Sequence, residues 1–137
     1  MKMPLSTWCR ASLLFALLTG VACGDDPTAP GIEPEIVNDT DSFSYQIRDL
    51  RNVWGSWDYT WQNTGTSATV SHATNAGATG TATLTVRDAD GTQVYSAPLA
   101  SSGEPVTSPA GAPGAWTVTV TYAGYTNDQV NFELSKQ

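Results

Sequence analysis

The sequence is short of cysteine and histidine. In 137 residues it has two cysteines, Cys9 and Cys23, and one histidine, His72. If the leader described below is removed, one cysteine remains and no internal disulfide can form. A zinc site needs three or four His, Cys or acidic ligands, and a hydrolytic triad needs a histidine beside a nucleophile and an acid. No Gly-x-Ser-x-Gly motif is present, so we expect His72 to be a strand-end residue without a catalytic or metal-binding role.

Basic residues are also scarce. After removal of residues 1–22, four basic residues stand against thirteen acidic ones, a formal charge of −9; the four are Arg48, Arg51, Arg87 and Lys136. Nucleic acids and anionic lipid surfaces are polyanions, so this balance disfavours both as partners. The 115 residues that remain are enough for one domain.

No apolar run approaches the ~20 residues of a membrane-spanning helix. Residues 11–18 form the longest run, Ala-Ser-Leu-Leu-Phe-Ala-Leu-Leu, and Lys2 and Arg10 precede it. A positive segment followed by a short apolar segment is typical of a signal peptide. We therefore assign residues 1–22 to a signal peptide.

The residues around Cys23 resemble the lipobox of bacterial lipoproteins. Val21 and Ala22 precede the cysteine, although Gly20 stands where that family prefers a leucine-like residue. The resemblance implies that Cys23 is acylated and becomes the first residue of a mature protein held on a membrane of the cell envelope, since two or more acyl chains anchor a protein stably. The alternative is ordinary secretion after cleavage near Ala22. Gly24 directly follows the cysteine, so the usual aspartate rule does not distinguish inner from outer membrane.

Residues 23–40 are predicted to be a flexible acidic tether. Prolines at 27, 30 and 34 alternate with acidic residues, a composition that prevents a helix and cannot bury a core. The alternative for its last part is an edge strand beginning at Ile36 and Val37.

From residue 41 onward the sequence alternates apolar and polar residues, the pattern of half-buried β-strands. The apolar positions fall in six sets: 43, 45 and 47; 57, 59 and 61; 68 and 70; 82, 84 and 86; 116, 118, 120 and 122; and 130, 132 and 134. Turns are predicted at Asn63–Thr66, Asn75–Gly80, Asp88–Gly91 and 124–128, with a longer connection over 101–114. This pattern predicts an all-β domain over residues 41–137, an antiparallel two-sheet sandwich of about seven strands; an open barrel is the alternative.

Residues 84–134 resemble the small bacterial sandwich domains of the immunoglobulin-like and prepeptidase-C-terminal kind. The resemblance rests on the Asp90-Gly91 hairpin and on the Pro113-Gly114-Ala115-Trp116 entry into a strand. It implies an immunoglobulin-like, non-catalytic module that stands on a bacterial surface or accompanies a secreted enzyme.

Two further features carry hypotheses about ligands. Asp88 and Asp90 beside Gly91 match part of a calcium loop but lack its other ligands, so we expect a hairpin without metal. Most of the aromatic residues fit a small core. Trp54 and Tyr125 break the alternation or lie in a turn, and we expect this pair to be exposed and available to a ligand.

These observations predict a membrane-anchored, non-enzymatic binding or structural module without a cofactor or a metal. Protein contact is favoured over carbohydrate. A sugar-binding module should show a pair of exposed coplanar tryptophans, and a protein-binding one an uncovered edge strand or apolar patch. A small hydrolase would need His72 in a cleft with a serine and an acid within reach.

Overall fold

The structure is a computed structural model that describes residues 33–99 and 103–137. The predicted signal peptide, Cys23 and the tether up to residue 32 lie outside the described residues. The described chain consists of strands and connections, and it holds no helix with the length and apolar character that a bilayer crossing requires.

Seven strands are formed, and every pairing between them is antiparallel. They are β1 (Glu35–Asp39), β2 (Ser42–Asn63), β3 (Ala68–Thr74), β4 (Thr79–Arg87), β5 (Gln93–Pro98), β6 (Val106–Thr107) and β7 (Gly114–Lys136). The predicted all-β antiparallel sandwich of about seven strands is therefore confirmed. The predicted turn at Asp88–Gly91 joins β4 to β5.

One continuous sheet forms both layers of the sandwich. Its two long strands, β2 and β7, pair along their lengths and bend together, so that one half of the sheet packs over the other half. In one layer the order is β1, β2 (42–48), β7 (129–136), β3 and β6. In the other it is β2 (55–63), β7 (114–126), β4 and β5. The fold brings the two ends of β2 together: the amide of Asp41 donates to the carbonyl of Gln62 at 2.8 Å.

The continuity of these two strands corrects the sequence prediction. Residues 43–48 and 57–61 were expected to be separate strands, and residues 124–128 were expected to separate the last two. Instead β2 runs for 22 residues and β7 for 23. β2 shifts its register beyond Leu50 and again beyond Val53, and Gly124 of β7 adopts φ 59°. Such irregularities bend a strand without ending it.

The alternation predicts the core well. All of the predicted inward positions of β4 and β7 are buried, and Trp61 and Trp116 meet edge to face with ring centroids 5.8 Å apart. Trp57 and Tyr59 are only partly buried and pack against the margin of the core, because this half of β2 is the outermost strand of its layer.

The segment Glu35–Asp39 belongs to the domain, although residues 23–40 were predicted to be tether. It pairs with β2, so the alternative of an edge strand at Ile36 and Val37 is the one the structure contains. Ile36 lies opposite the buried Tyr45, which places it on the inner face of the layer, while the acidic side chains stay exposed.

Candidate functional site

The large apolar residues exposed in the described part of the chain lie at a bend, along the free edge of β1, and at Val106 of the two-residue strand β6. The bend and the free edge are the two candidate sites. The bend is the segment Asp49–Gly55 of β2 together with residues 124–128 of β7. Asp49 and Asn52 have φ values of 55° and 51°, in the left-handed region. Asp and Asn tolerate this region better than other side chains, and such residues cluster at functional sites.

Trp54 projects from the bend and is 65% exposed, as predicted. Its Nε1 donates to Oδ1 of Asn52 at 3.2 Å. A Cβ built on Gly124 would lie 3.0 Å from Cζ2 of Trp54, so a larger residue there would displace the indole from its present position. The side of the ring that carries Nε1 and Cζ2 is thus fixed, and the rest of the ring surface is open.

The prediction for Tyr125 is wrong, because this residue is 1% exposed. The bulge at Gly124 changes the alternation of β7, so both Tyr122 and Tyr125 point inward. The Tyr125 hydroxyl donates to the carbonyl of Leu99 at 3.3 Å and accepts from Nδ2 of Asn127 at 3.2 Å. Burial raises the pKa of Tyr125, while the Asn127 hydrogen bond opposes the shift. The expected exposed pair is therefore reduced to Trp54.

The free edge is the outer side of β1, with which none of the described residues pairs. Val37 is 58% exposed and lies on the outer face of the layer, between Glu35 and Asp39. On the inner face, Nδ2 of Asn38 donates to the carbonyl of Thr60 at 2.8 Å. This hydrogen bond joins β1 to the outermost strand of the other layer and holds the edge in place.

An acidic recess adjoins the start of β1. It has a volume of about 230 Å³ and is lined by Glu33, Glu35, Gln46, Ile47, Arg48 and Asp49. The side-chain amide of Gln46 fits its neighbours when its oxygen faces Arg48. In that orientation the oxygen accepts hydrogen bonds from the Arg48 guanidinium. Three carboxylates against one guanidinium leave the recess negative, which extends the acidic character of the free edge.

His72 lines a cavity of about 280 Å³ with Ser71, Ala73, Asn131, Phe132 and Glu133. Ser71 and His72 are successive residues of β3, so their side chains point to opposite faces. Within the described residues, Nδ1 of His72 is buried without a hydrogen-bond partner. The serine and the acid that a hydrolase needs therefore line the cavity without being hydrogen-bonded to His72.

Asp88 organises the β4–β5 turn through its carboxylate. Oδ1 accepts from the amides of Asp90 and Thr92 at 3.0 and 2.8 Å, and Oδ2 accepts from the amide of Ala112 at 2.9 Å. The Ala112 hydrogen bond is the main cause that lowers the pKa of Asp88, and burial opposes it. Residues 33–99 and 103–137 contain no group of three or more side chains placed to hold a metal ion.

No known family model matches the sequence, and no curated protein matches it. The structure resembles part of an arabinose-bound α-L-arabinofuranosidase, MgGH51, with 14% identity and a TM-score of 0.40; the match covers 77% of this chain and only 22% of the enzyme. It also resembles CsCBM6-3 from Clostridium stercorarium in complex with cellobiose, with 17% identity, a TM-score of 0.32, and coverage of 76% and 82%. These likenesses concern the β-fold alone.

Proposed function

We propose that the protein is a bacterial envelope lipoprotein, anchored through acylated Cys23, whose β-sandwich is a non-catalytic module that binds a protein partner at the free edge of β1. The observation that carries the proposal is an edge strand whose outer side pairs with none of the residues 33–99 and 103–137, with the exposed Val37 at its centre. Exposed backbone amides and carbonyls of an edge strand are a template for strand addition by another chain.

The side chains of β1 indicate the chemistry of that partner. Its outer face presents Glu35, Val37 and Asp39 in succession. In an added strand, the residues directly opposite interact most strongly, and opposite charges stabilise such pairs by about 0.2–1 kcal/mol each. The complementary segment is extended, with basic residues on both sides of an apolar one. A second copy of this acidic chain would place like charges opposite each other.

A synthetic peptide tests the edge. The probe is an extended decapeptide in which lysines stand two residues before and two residues after a valine, and the control peptide has glutamates in place of the lysines. We expect the lysine peptide alone to shift the backbone amide NMR signals of Glu35–Asp39, with an effect that salt weakens. The double variant Glu35→Lys, Asp39→Lys should lose this response. Equal shifts with both peptides, or shifts confined to other strands, would contradict the proposal.

The anchor is tested separately by intact mass of the membrane fraction. The wild-type chain should start at Cys23 and carry the mass of a diacyl or triacyl modification, and Cys23→Ser should lose it. An unmodified chain starting near Cys23 and released to the medium would overturn the lipoprotein assignment. That result would leave the edge proposal to its own test.

A further inference from the structure

The bend offers a second binding site, distinct from the free edge. Leu50 and Val53 anchor the segment in the core, and the residues between and after them point outward. Among the large apolar residues that are exposed in the described chain, Trp54 alone belongs to the bend; the others lie in β1 and β6. An aromatic ring therefore stands by itself on a polar surface.

The ring is held before any ligand arrives. Oδ1 of Asn52 accepts a hydrogen bond from the Trp54 indole, and the backbone amide of Asn52 donates one to Oγ1 of Thr126 at 2.9 Å. Gly124 provides the space in which the fixed side of the indole lies. A side chain that is already immobilised loses less conformational entropy on binding, which increases the affinity of a weakly held ligand.

The surroundings favour a neutral ligand with a polar rim. Arg51 and Asp128 belong to the bend and form an ion pair of 3.2 Å with both side chains largely exposed. Their charges cancel each other, and Asp49 leaves the bend with a single negative charge, so the site has no attraction for an anion. Their remaining donors and acceptors are free to bind hydroxyl groups. A protein hot spot would instead be surrounded by further apolar contacts that exclude water.

We propose that Trp54 is a stacking platform for a pyranose ring of a neutral glycan, with Arg51 and Asp128 as hydrogen-bonding partners for its hydroxyls. One face of a pyranose presents C–H groups, which are attracted to the negative face of an aromatic ring. The edge of the same sugar carries hydroxyls that match the charged pair. The pair of exposed coplanar tryptophans expected of a sugar-binding module is not present in the described residues, where Trp54 is the one exposed tryptophan. A single platform binds one ring weakly, so a polymer that offers many rings is the suitable ligand.

The test uses native gel electrophoresis of the full-length chain through hydroxyethylcellulose, xylan or dextran. Every protein carries Cys23→Ser, so that acylation does not enter the comparison. We expect at least one polymer to retard the chain, Trp54→Ala to weaken the apparent affinity by about tenfold or more, and Trp54→Tyr to keep most of it. Val106→Ala is the matched control, an exposed apolar residue of β6 that belongs to neither proposed site, and should be retarded like the parent chain.

Three results would overturn the proposal: no retardation by any polymer, equal retardation of Trp54→Ala, or binding of tetramethylammonium in preference to the polymers. Because Trp54 lies outside the core, its replacement should leave the midpoint of urea unfolding unchanged, which separates lost binding from lost folding. The peptide test of β1 does not involve the bend, so either proposal can fail alone.

Discussion

The hydroxyl groups of Tyr45 and Tyr122 lie 3.1 Å apart inside the sandwich and are hydrogen-bonded to each other. Tyr45 belongs to the first half of β2 in one layer, and Tyr122 belongs to β7 in the other. Both side chains are almost completely buried. This hydrogen bond is therefore a polar connection between the two layers within a mainly apolar core.

Removing one of these hydroxyls should cost more than removing both. In Tyr45→Phe the Tyr122 hydroxyl is left buried without its partner, so we expect a loss of about 1–3 kcal/mol in the free energy of unfolding. The double variant Tyr45→Phe, Tyr122→Phe should be more stable than the sum of the single variants implies. Urea unfolding of the four proteins checks this, with the partly buried Tyr95→Phe as control. Additive losses would contradict the hydrogen bond.

The same pair predicts a loss of stability in alkali. Burial is the main cause that raises the pKa of both Tyr45 and Tyr122 above the ordinary value of 10.0. Below pH 10 the phenols are protonated in both states; above it the unfolded chain releases protons that the folded chain retains, so stability falls as the pH rises. Absorbance at 295 nm should show these two tyrosines ionising only on unfolding. The double phenylalanine variant should lose less stability between pH 10 and 12.

The strand positions were predictable because period-2 alternation directly reflects which face is buried. It identified Phe43, Leu84 and Val118 as inward-facing, and the structure buries them. The continuity of β2 and β7 was not predictable in the same way. A break in alternation looks alike whether the chain leaves the sheet or bends within it, and the difference depends on pairing with a distant strand.

The same ambiguity explains the outcome at the candidate site. Trp54 was predicted to be exposed because it interrupts the alternation, and it is exposed. Tyr125 was predicted to be exposed for the same reason, but the bulge at Gly124 returns it to the core. β1 was harder to recognise, since two apolar residues among acids and prolines do not establish a period.

Asp88 should make the β4–β5 turn sensitive to acid. Its pKa is lowered in the folded chain, first by the amide of Ala112, so it stabilises the fold above the unfolded value near pH 3.8 and this stabilisation is lost as the pH falls through the folded pKa. Asp88→Asn replaces one acceptor oxygen with a donor and should lower Tm by about 5 °C or more. It should also flatten the fall in stability below pH 4. Asp90→Asn, an exposed neighbour, is the control, and equal effects of both changes would exclude this role.

The bend in the sheet depends on a close approach of two backbones, and two glycines test it. Gly77 and Gly80 both have positive φ, 89° and 74°. A Cβ on Gly77 would meet nothing within 4 Å, whereas one on Gly80 would clash with the backbone carbonyl of Gly124. Alanine at Gly77 therefore adds only conformational strain, about 1–2 kcal/mol. Alanine at Gly80 adds the same strain and forces β4 away from the bend of β7.

We expect Gly80→Ala to lower the free energy of unfolding by about 1–3 kcal/mol more than Gly77→Ala, the usual range for overpacking against a fixed neighbour. Urea unfolding of both variants measures the difference, and because both positions have a positive φ, most of the conformational cost cancels in the comparison. Similar stabilities would mean that β4 and β7 can move apart at Gly80 and Gly124 without a loss in the free energy of unfolding. If Gly80→Ala is the less stable variant, the contact between β4 and β7 is part of what holds one sheet in two layers. Any displacement of Gly124 would also move Trp54, so the same substitution should weaken binding at the bend.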